Sequence, residues 1–340
     1  MRQLALEAPR SLRWINAPEP QITSGAGAIV RPVAVGVCGF DKWIIEGASP
    51  MQMVLPIIPG HEIVAEVTKV GGDVRHIRAG MRVVLPLHMN CGTCPDCNSQ
   101  RTNLCSSRPL RANYGLGELG GDWGGGMSDL LYVPYADAMA VELPPGVSAA
   151  DCAAVGCNLV DVYRSIAPYL RCFDRPSYLV AGGPGISIGL YAVAMARALG
   201  VADIGFLDDD PARLAAAERL GAHPIHLSEP IERLYPIVAD CSRSAERQAM
   251  AMARIARGGF LTMVSPFDGL SSSLPIGDMF RRSATFVTGQ PHARAYIEPV
   301  LDLIRAGKIS STSIPSEILP WDAAKDAYGR GGVKQIFVRY

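Results

Sequence analysis

The feature that most limits what this chain can fold into is a change of rhythm near Asp151. Before it, short apolar runs are broken by glycine and proline: AIVRPVAVGVCG, HEIVAEVTKVGG, MRVVLPL, LLYVP and AMAVELP. That is the rhythm of strands joined by tight turns. After it, strands and helices alternate. Residues 151–170 read as a helix, SYLVAGG as a strand ending in glycines, ISIGLYAVAMARALG as a helix stopping at Gly200, and IGFLDDD as a second strand. PARLAAAERLG has proline at its start and glycine at its end, the asymmetry of a helix. PIVADCS, GGFLTMVS and ATFVTGQ read as further strands, with ERQAMAMARIA a helix between two of them. Such alternation specifies a parallel, doubly wound sheet. After Gly289 come one more helix, AYIEPVLDLIRAG, and a last strand, KQIFVRY. That tail is too small to be a domain and is expected to pack back onto the β-rich part.

Length and composition agree with a two-domain α/β protein. A chain of 340 residues divides into two domains of ordinary size, and a hydrophobic fraction of 49% can bury a large core. Lys+Arg and Asp+Glu balance at 32 each, and no block of one sign stands out. Neither nucleic acid nor a membrane surface is favoured as a partner. No run of 18 apolar residues suggests a transmembrane helix. The N-terminus MRQLALEAPRSLRWINAPEP lacks the apolar core of a signal peptide, so a cytoplasmic location is expected.

Four of the nine cysteines fall within fifteen residues, as Cys91, Cys94, Cys97 and Cys105 in CGTCPDCNSQRTNLC. Four soft thiolates make a closed tetrahedral zinc site, with no position left for substrate. A pair of disulfides would need an oxidising compartment. An iron–sulfur cluster also takes four thiolates, but this tight spacing in a Gly/Pro/Asn loop suits one small ion better. The loudest signal in the chain is therefore a structural clamp.

The strand SYLVA leads into Gly182, Gly183, Pro184, Gly185, Ile186, Ser187, Ile188 and Gly189, and then a helix. Glycines allow a tight turn and let backbone N–H groups approach a pyrophosphate at a helix N-terminus. The usual spacing is G-x-G-x-x-G, whereas Gly183, Gly185 and Gly189 are spaced one residue longer. An ordinary glycine turn is the plain alternative. Asp208 ends the next strand, 19 residues beyond Gly189. A carboxylate there accepts bonds from ribose hydroxyls and repels a 2′-phosphate, which favours NAD over NADP. Asp210 is placed to cap the helix that begins at Pro211.

Three further residues form a candidate open metal site: Cys38 in GVCGFD, His61 in PGHEIVAEV, and Cys157 in VGCNLVD. Two thiolates and an imidazole would leave one position for substrate. Taken singly, each has a plain alternative, since a free cysteine is often a small buried hydrophobe. Nothing in the sequence says whether the three meet.

GVCGFD, PGHE, the C-x2-C-x2-C-x7-C loop, VGC, the glycine loop and FLDDDPARL occur in the order found in zinc-dependent medium-chain dehydrogenases. The chain resembles that family, the alcohol dehydrogenase superfamily, over essentially its whole length. It looks nearest to the bacterial polyol, sugar and threonine dehydrogenase branches. The resemblance implies a GroES-like β domain carrying two zincs, over residues 1–157 with 291–340, and an inserted Rossmann domain over 158–290. It implies Cys38, His61 and Cys157 as catalytic zinc ligands, Glu62 as a carboxylate able to approach the metal, and Asp41 as the group orienting the ligand histidine. Gly183, Gly185, Ile186, Ser187, Gly189, Asp208 and Arg213 are the implied cofactor contacts. The implied reaction is hydride transfer between NAD(H) and a secondary alcohol or ketone, in a homodimer or homotetramer.

One departure stands out. Relatives have Ser or Thr before the aspartate of this motif, where this chain has Phe40. A histidine that continues the proton relay in some relatives would fall near Trp43, and is absent. Phe40 cannot move a proton. A reductase of an activated C=C or C=N bond on the same fold is thus an alternative reading, and a non-catalytic NAD(H)-binding protein a third. The run NYGLGELGGDWGGGMSD is expected to be mobile, with Trp123 a candidate pocket residue.

Overall fold

The computed structural model describes residues 1–48, 53–109, 112–264 and 273–339. Ser265 and Tyr340, the last residues of two expected strands, lie outside them, as does the side chain of Ile186. The chain divides into two compact units: residues 1–160, 291–312 and 316–340, and residues 161–290 with 313–315. The division falls after Val160, a little beyond the Cys157 expected from sequence and inside the helical stretch formed by Val155–Leu159 and Val160–Arg164.

Unit 1 is built on β-strands, as its glycine- and proline-punctuated sequence requires. Strands β1 (Arg2–Ala8) and β2 (Ser11–Asn16) form an antiparallel pair. A seven-stranded sheet holds β3 (Ala28–Gly36), β4 (Glu62–Val70), β5 (Arg82–Leu85), β6 (Leu131–Val133) and β7 (Val141–Glu142). Two strands of the C-terminal tail, described below, complete it. Alternating apolar residues of these strands meet in a core that includes Val30, Ile63, Ala65, Val83, Leu85, Tyr114 and Val133.

Register decides what this sheet brings together. In the β3–β4 pair, Gly36 lies opposite Glu62. Cys38 is two residues past the end of β3, and His61 immediately precedes β4, so both emerge at the same end of the sheet. A side chain at Gly36 would run into the Glu62 carboxylate, so the close approach of the two strands needs glycine there. On β5, Leu85 pairs with Ile63, and Leu87 N–H donates to the Gly156 carbonyl at 3.1 Å. That bond draws the Cys157 turn to the same edge.

Unit 2 is an all-parallel six-stranded sheet. Its strands in chain order are β8 (Ser177–Ala181), β9 (Asp203–Asp208), β10 (His223–His226), β11 (Tyr235–Asp240), β12 (Ile255–Met263) and β13 (Thr285–Val287). The spatial order is β10-β9-β8-β11-β12-β13, the doubly wound arrangement whose switch point lies between β8 and β11. Strand β8 is buried along its whole length, as a central parallel strand covered on both faces must be.

The tail then returns to unit 1. Helix Ala293–Arg305 buries Ile297, Val300, Leu301 and Ile304. Strand β14 (Ser316–Pro320) pairs in parallel with β15 (Lys334–Val338), and β15 pairs antiparallel with β3, Ile336 opposite Gly36. Lys334 therefore arrives at the same end of the sheet as Cys38 and His61.

Two expectations are corrected here. The single helix read over 151–170 is instead broken into Ala149–Cys152, the continuous stretch of Val155–Leu159 and Val160–Arg164, and Ala167–Cys172. The glycine-rich run after Asn113 is packed rather than loose. Gly126 N–H donates to the Gly60 carbonyl at 2.7 Å and Met127 N–H to Pro59 at 3.0 Å, and a side chain at Gly125 would collide with the Ile58 carbonyl. Trp123 packs against the unit 1 core, with the Arg108 guanidinium 4.6 Å above its ring. No helix among the described residues is long and apolar enough to cross a membrane.

Candidate active site and cofactor corner

The four-cysteine loop folds on itself through its own backbone. Cys91 N–H points at Cys105 Sγ (3.3 Å), Cys94 N–H at Cys91 Sγ (3.3 Å) and Cys97 N–H at Cys94 Sγ (3.5 Å). All four sulfurs lie within 4.8 Å of one another, and the Cys91–Cys97 and Cys94–Cys105 pairs are each 4.0 Å apart. Four thiolates at about 2.3 Å from a tetrahedral zinc are about 3.8 Å apart, so the donor set fits zinc. None of the four is in a disulfide. Burial would push the Cys91 thiol up, but hydrogen bonds from Ser107 and Thr93 bring it down to about 5. A thiolate is the form a metal binds.

Cys38, His61 and Cys157 also come together, their ligand atoms all within 4.8 Å of one another. Cys38 is the N-cap of helix Gly39–Glu46; its sulfur accepts from Phe40 N–H at 3.4 Å, while Asp41 accepts from Cys38 N–H at 2.9 Å. This reciprocal capping box fixes the Cys38 backbone and puts its sulfur at the positive end of a helix. Asp41 does a second job. Its other oxygen lies 3.2 Å from His61 Nδ1, with both groups buried, so Nε2 is the ring nitrogen left for a metal. Cys157 sits on the wide helical turn Val155–Leu159, a rare geometry that re-aims a side chain. Hydrogen bonds from Cys157 and His61 hold the Cys38 thiol well below its ordinary range, against the opposing effect of burial. Two thiolates and one imidazole, buried and oriented, fit a zinc ion with one position open.

In unit 2, Gly182 N–H donates to Leu207 at 2.8 Å, and helix Ile186–Ala198 starts after Gly185 with no side-chain cap. A helix N-terminus of this kind is one a dinucleotide's phosphate would suit. A side chain at Gly183 would collide with the Ser242 carbonyl, so this turn requires glycine. Ser187 is buried, and Gly189 packs against Phe206, where a side chain would crowd its ring. Asp208, at the tip of β9, is gripped by two arginines. Arg213 reaches it through both Nε (2.8 Å) and a terminal nitrogen (2.7 Å), and Arg247 donates at 3.1 Å. Burial would raise the Asp208 carboxyl, but these bonds and the Asp210 N–H bring it down to about 2. Asp210 caps helix Pro211–Arg219, accepting from Arg213 N–H at 2.9 Å.

Known proteins similar to this chain come from one group of enzymes. Residues 25–145 match the alcohol dehydrogenase GroES-like domain family. A probable zinc-binding alcohol dehydrogenase of Mycobacterium tuberculosis is 27% identical over 336 residues, covering 96% of this chain and 84% of that protein. The solved alcohol dehydrogenase of Thermus sp. ATN1 superimposes with a TM-score of 0.90 at 28% identity, over 100% of both chains. The chain is thus similar to zinc-type alcohol dehydrogenases over its whole length, and residues 25–145 carry their GroES-like domain. A glutathione-independent formaldehyde dehydrogenase of Pseudomonas aeruginosa is 34% identical over 236 residues, 65% of this chain; the match spans a little over half, 57%, of that protein.

Three residues around these sites carry no clear signal in the sequence. Lys334 Nζ forms a buried ion pair with Glu62 and lies 3.3 Å from Asn158 Oδ1. Burial raises the Glu62 carboxyl, and Lys334 opposes that rise. Glu62 is thus tied to a lysine and to Asn158 N–H (3.1 Å). The third is Arg247. A charged residue inside the apolar strand KQIFV was the one available signal for Lys334. Arg247 looked like any arginine on an exposed helix face. Phe40 lies edge-on to His61, 6.3 Å between ring centres, and packs against the apolar cluster that includes Ile44, Trp321 and Tyr328.

Proposed function

We propose that this chain oxidises a secondary alcohol, or reduces the matching ketone, with a nicotinamide dinucleotide as redox partner. The observation that carries the reading is the convergence of Cys38, His61 and Cys157 from three distant stretches, with Asp41 aimed at His61 Nδ1. Three protein ligands and an oriented imidazole are the makings of a reactive site rather than a clamp. Cys91, Cys94, Cys97 and Cys105 would hold the second, structural zinc.

Zinc, when bound by the Cys38 trio, supplies a Lewis acid that polarises a substrate oxygen. The nicotinamide dinucleotide supplies the hydride acceptor or donor. The protein contributes placement. The helix cap fixes Cys38, Asp41 fixes the His61 tautomer, and Phe40 gives the site an apolar side that cannot carry a proton. The glycine turn and the uncapped helix Ile186–Ala198 would hold the pyrophosphate, and Asp208 the adenosine ribose. NAD is the proposed cofactor over NADP, because Asp208 remains a carboxylate. A polyol, sugar or amino alcohol is the proposed substrate class.

Metal analysis of the purified protein together with a nicotinamide absorbance assay over alcohols and ketones tests this. Metal at only the four-cysteine loop, or no turnover across the panel, would defeat it. One observation favours a second reading. With Phe40 in place of a hydroxyl, reduction of an activated C=C or C=N bond, which needs no alcohol proton relay, also fits. Substituting Cys157→Ala and assaying both substrate classes separates the two: loss of ketone reduction alone supports the first reading, and equal activity on double bonds supports the second.

A further inference from the structure

Asn158 follows Cys157 in sequence, yet its side chain faces both thiolates of the trio. Nδ2 lies 3.3 Å from Cys38 Sγ and 3.7 Å from Cys157 Sγ. An amide nitrogen has two hydrogens, enough to serve both sulfurs. Which way the amide points is often ambiguous, because its nitrogen and oxygen are alike in size. Here the surroundings decide it. Lys334 Nζ can only donate, so the oxygen must face Lys334 (3.3 Å) and the nitrogen must face the sulfurs. The backbone is held as well, by Asn158 N–H donating to Glu62 Oε1 at 3.1 Å, and Glu62 is itself paired with Lys334. Asn158 and Lys334 are buried, with 2% and 1% of their surface exposed, so water does not compete for these bonds.

We propose that Asn158 is a positioning residue that sets the donor strength of the open metal site by hydrogen-bonding both thiolates at once, with Lys334 as the lock on its orientation. The physical basis is simple. An N–H bond withdraws electron density from a thiolate, so the sulfur gives less to the metal. The metal then stays more electron-poor and a better acceptor for a substrate oxygen. At the four-cysteine loop the sulfurs are bonded mainly by backbone N–H groups, with the Thr93 and Ser107 hydroxyls adding to Cys91. At the trio one side chain does it for two ligands together.

The inference rests on metal binding by Cys38, His61 and Cys157, and the test keeps the two apart. The full-length protein is loaded with cadmium, and its cadmium NMR spectrum is recorded with that of Asn158→Leu and Asn158→Ser. Wild type should give two resonances, one for each sulfur site. A single resonance in wild type would overturn metal binding at the trio, and the inference with it. In Asn158→Leu the resonance of the trio should shift while that of the four-cysteine loop stays put. Chelator competition should show about tenfold weaker binding at that site alone, because the extra sulfur donation is outweighed by loss of the bonds that hold both sulfurs ionised and in place. Asn158→Ser keeps one donor and should fall between the two, and it carries the test should the leucine variant not fold. Two unmoved resonances with unchanged affinity would overturn the proposal, as would equal movement of both, which would mean a general structural role.

Discussion

The two sulfur sites of unit 1 use the same element and are built in opposite ways. The closed site takes four cysteines from one loop of fifteen residues, held mainly by that loop's own N–H groups. The open site takes Cys38, His61 and Cys157 from segments up to about 120 residues apart, held by a helix cap, strand register and the side chains of Asp41, Asn158, Glu62 and Lys334. A local site needs only its loop. A long-range site needs the whole sheet in register before it exists, and its groups are satisfied by residues that no local pattern points to. The lesson is that a clamp can be read off a motif, whereas a reactive centre is assembled by the fold.

Removing one ligand from each site gives the largest contrast. Cys157→Ala should take turnover to background and leave metal at the four-cysteine loop, with little change in melting temperature. Cys97→Ser should do the reverse. Losing a structural metal costs about 4 kcal/mol, or about 10 °C in melting temperature, while activity per folded molecule persists. Metal content, thermal melting and active-site titration of both variants check this. Equal loss of stability in both would break the distinction between clamp and centre.

How much of this was legible beforehand follows the same division. The Cys91–Cys105 loop, the turn at Gly183–Gly189 and Asp210 as a helix cap all involve neighbours in sequence, where spacing carries the geometry. Most strands and helices of unit 2 are legible because apolar runs alternate with glycine- and proline-bounded helical patterns, but the short, largely exposed β10 and the helix Ile276–Arg282 are not. Cys38, His61 and Cys157 were visible as candidates, but their meeting depends on Gly36 facing both Glu62 and Ile336 across two strand pairs. Lys334 and Asn158 escaped for that reason. The glycine run near Trp123 reads as mobile from sequence alone, because glycine signals both freedom and close packing. Here it marks close approach to the Ile58–Gly60 backbone.

The Lys334–Glu62 pair tests how far the open site depends on distant groups. Removing one member of a buried pair strands the other charge. Lys334→Met should therefore cost about 3 kcal/mol in a denaturant titration. Lys334→Met combined with Glu62→Gln should recover much of that, since no uncompensated charge remains. A double-mutant cycle on Cys97→Ser and Lys334→Met should be additive, because the two share no partner. Strong coupling would mean that the two sulfur sites are not independent after all.

The smallest expected effect lies in unit 2, where local and long-range support meet on one carboxylate. Asp208 is bonded by Arg213, five residues on, and by Arg247, from a separate helix. Its pKa, about 2, lies below the ordinary 3.8, so ionised Asp208 stabilises the fold above about pH 4. That contribution is lost as pH falls from about 4 through about 2. Arg213→Ala removes the two-bond grip and raises the folded-state pKa, so it should lower stability most above about pH 4, neutrality included, and move the acid loss to higher pH. Arg247→Ala removes a single bond to Asp208 and should move it less. Hydrogen exchange on peptides covering 203–210, measured across the acid range, reports this strand directly. Equal shifts from both variants would show the long-range arginine to be as important as the local one, and would extend the logic of the open metal site to the cofactor corner.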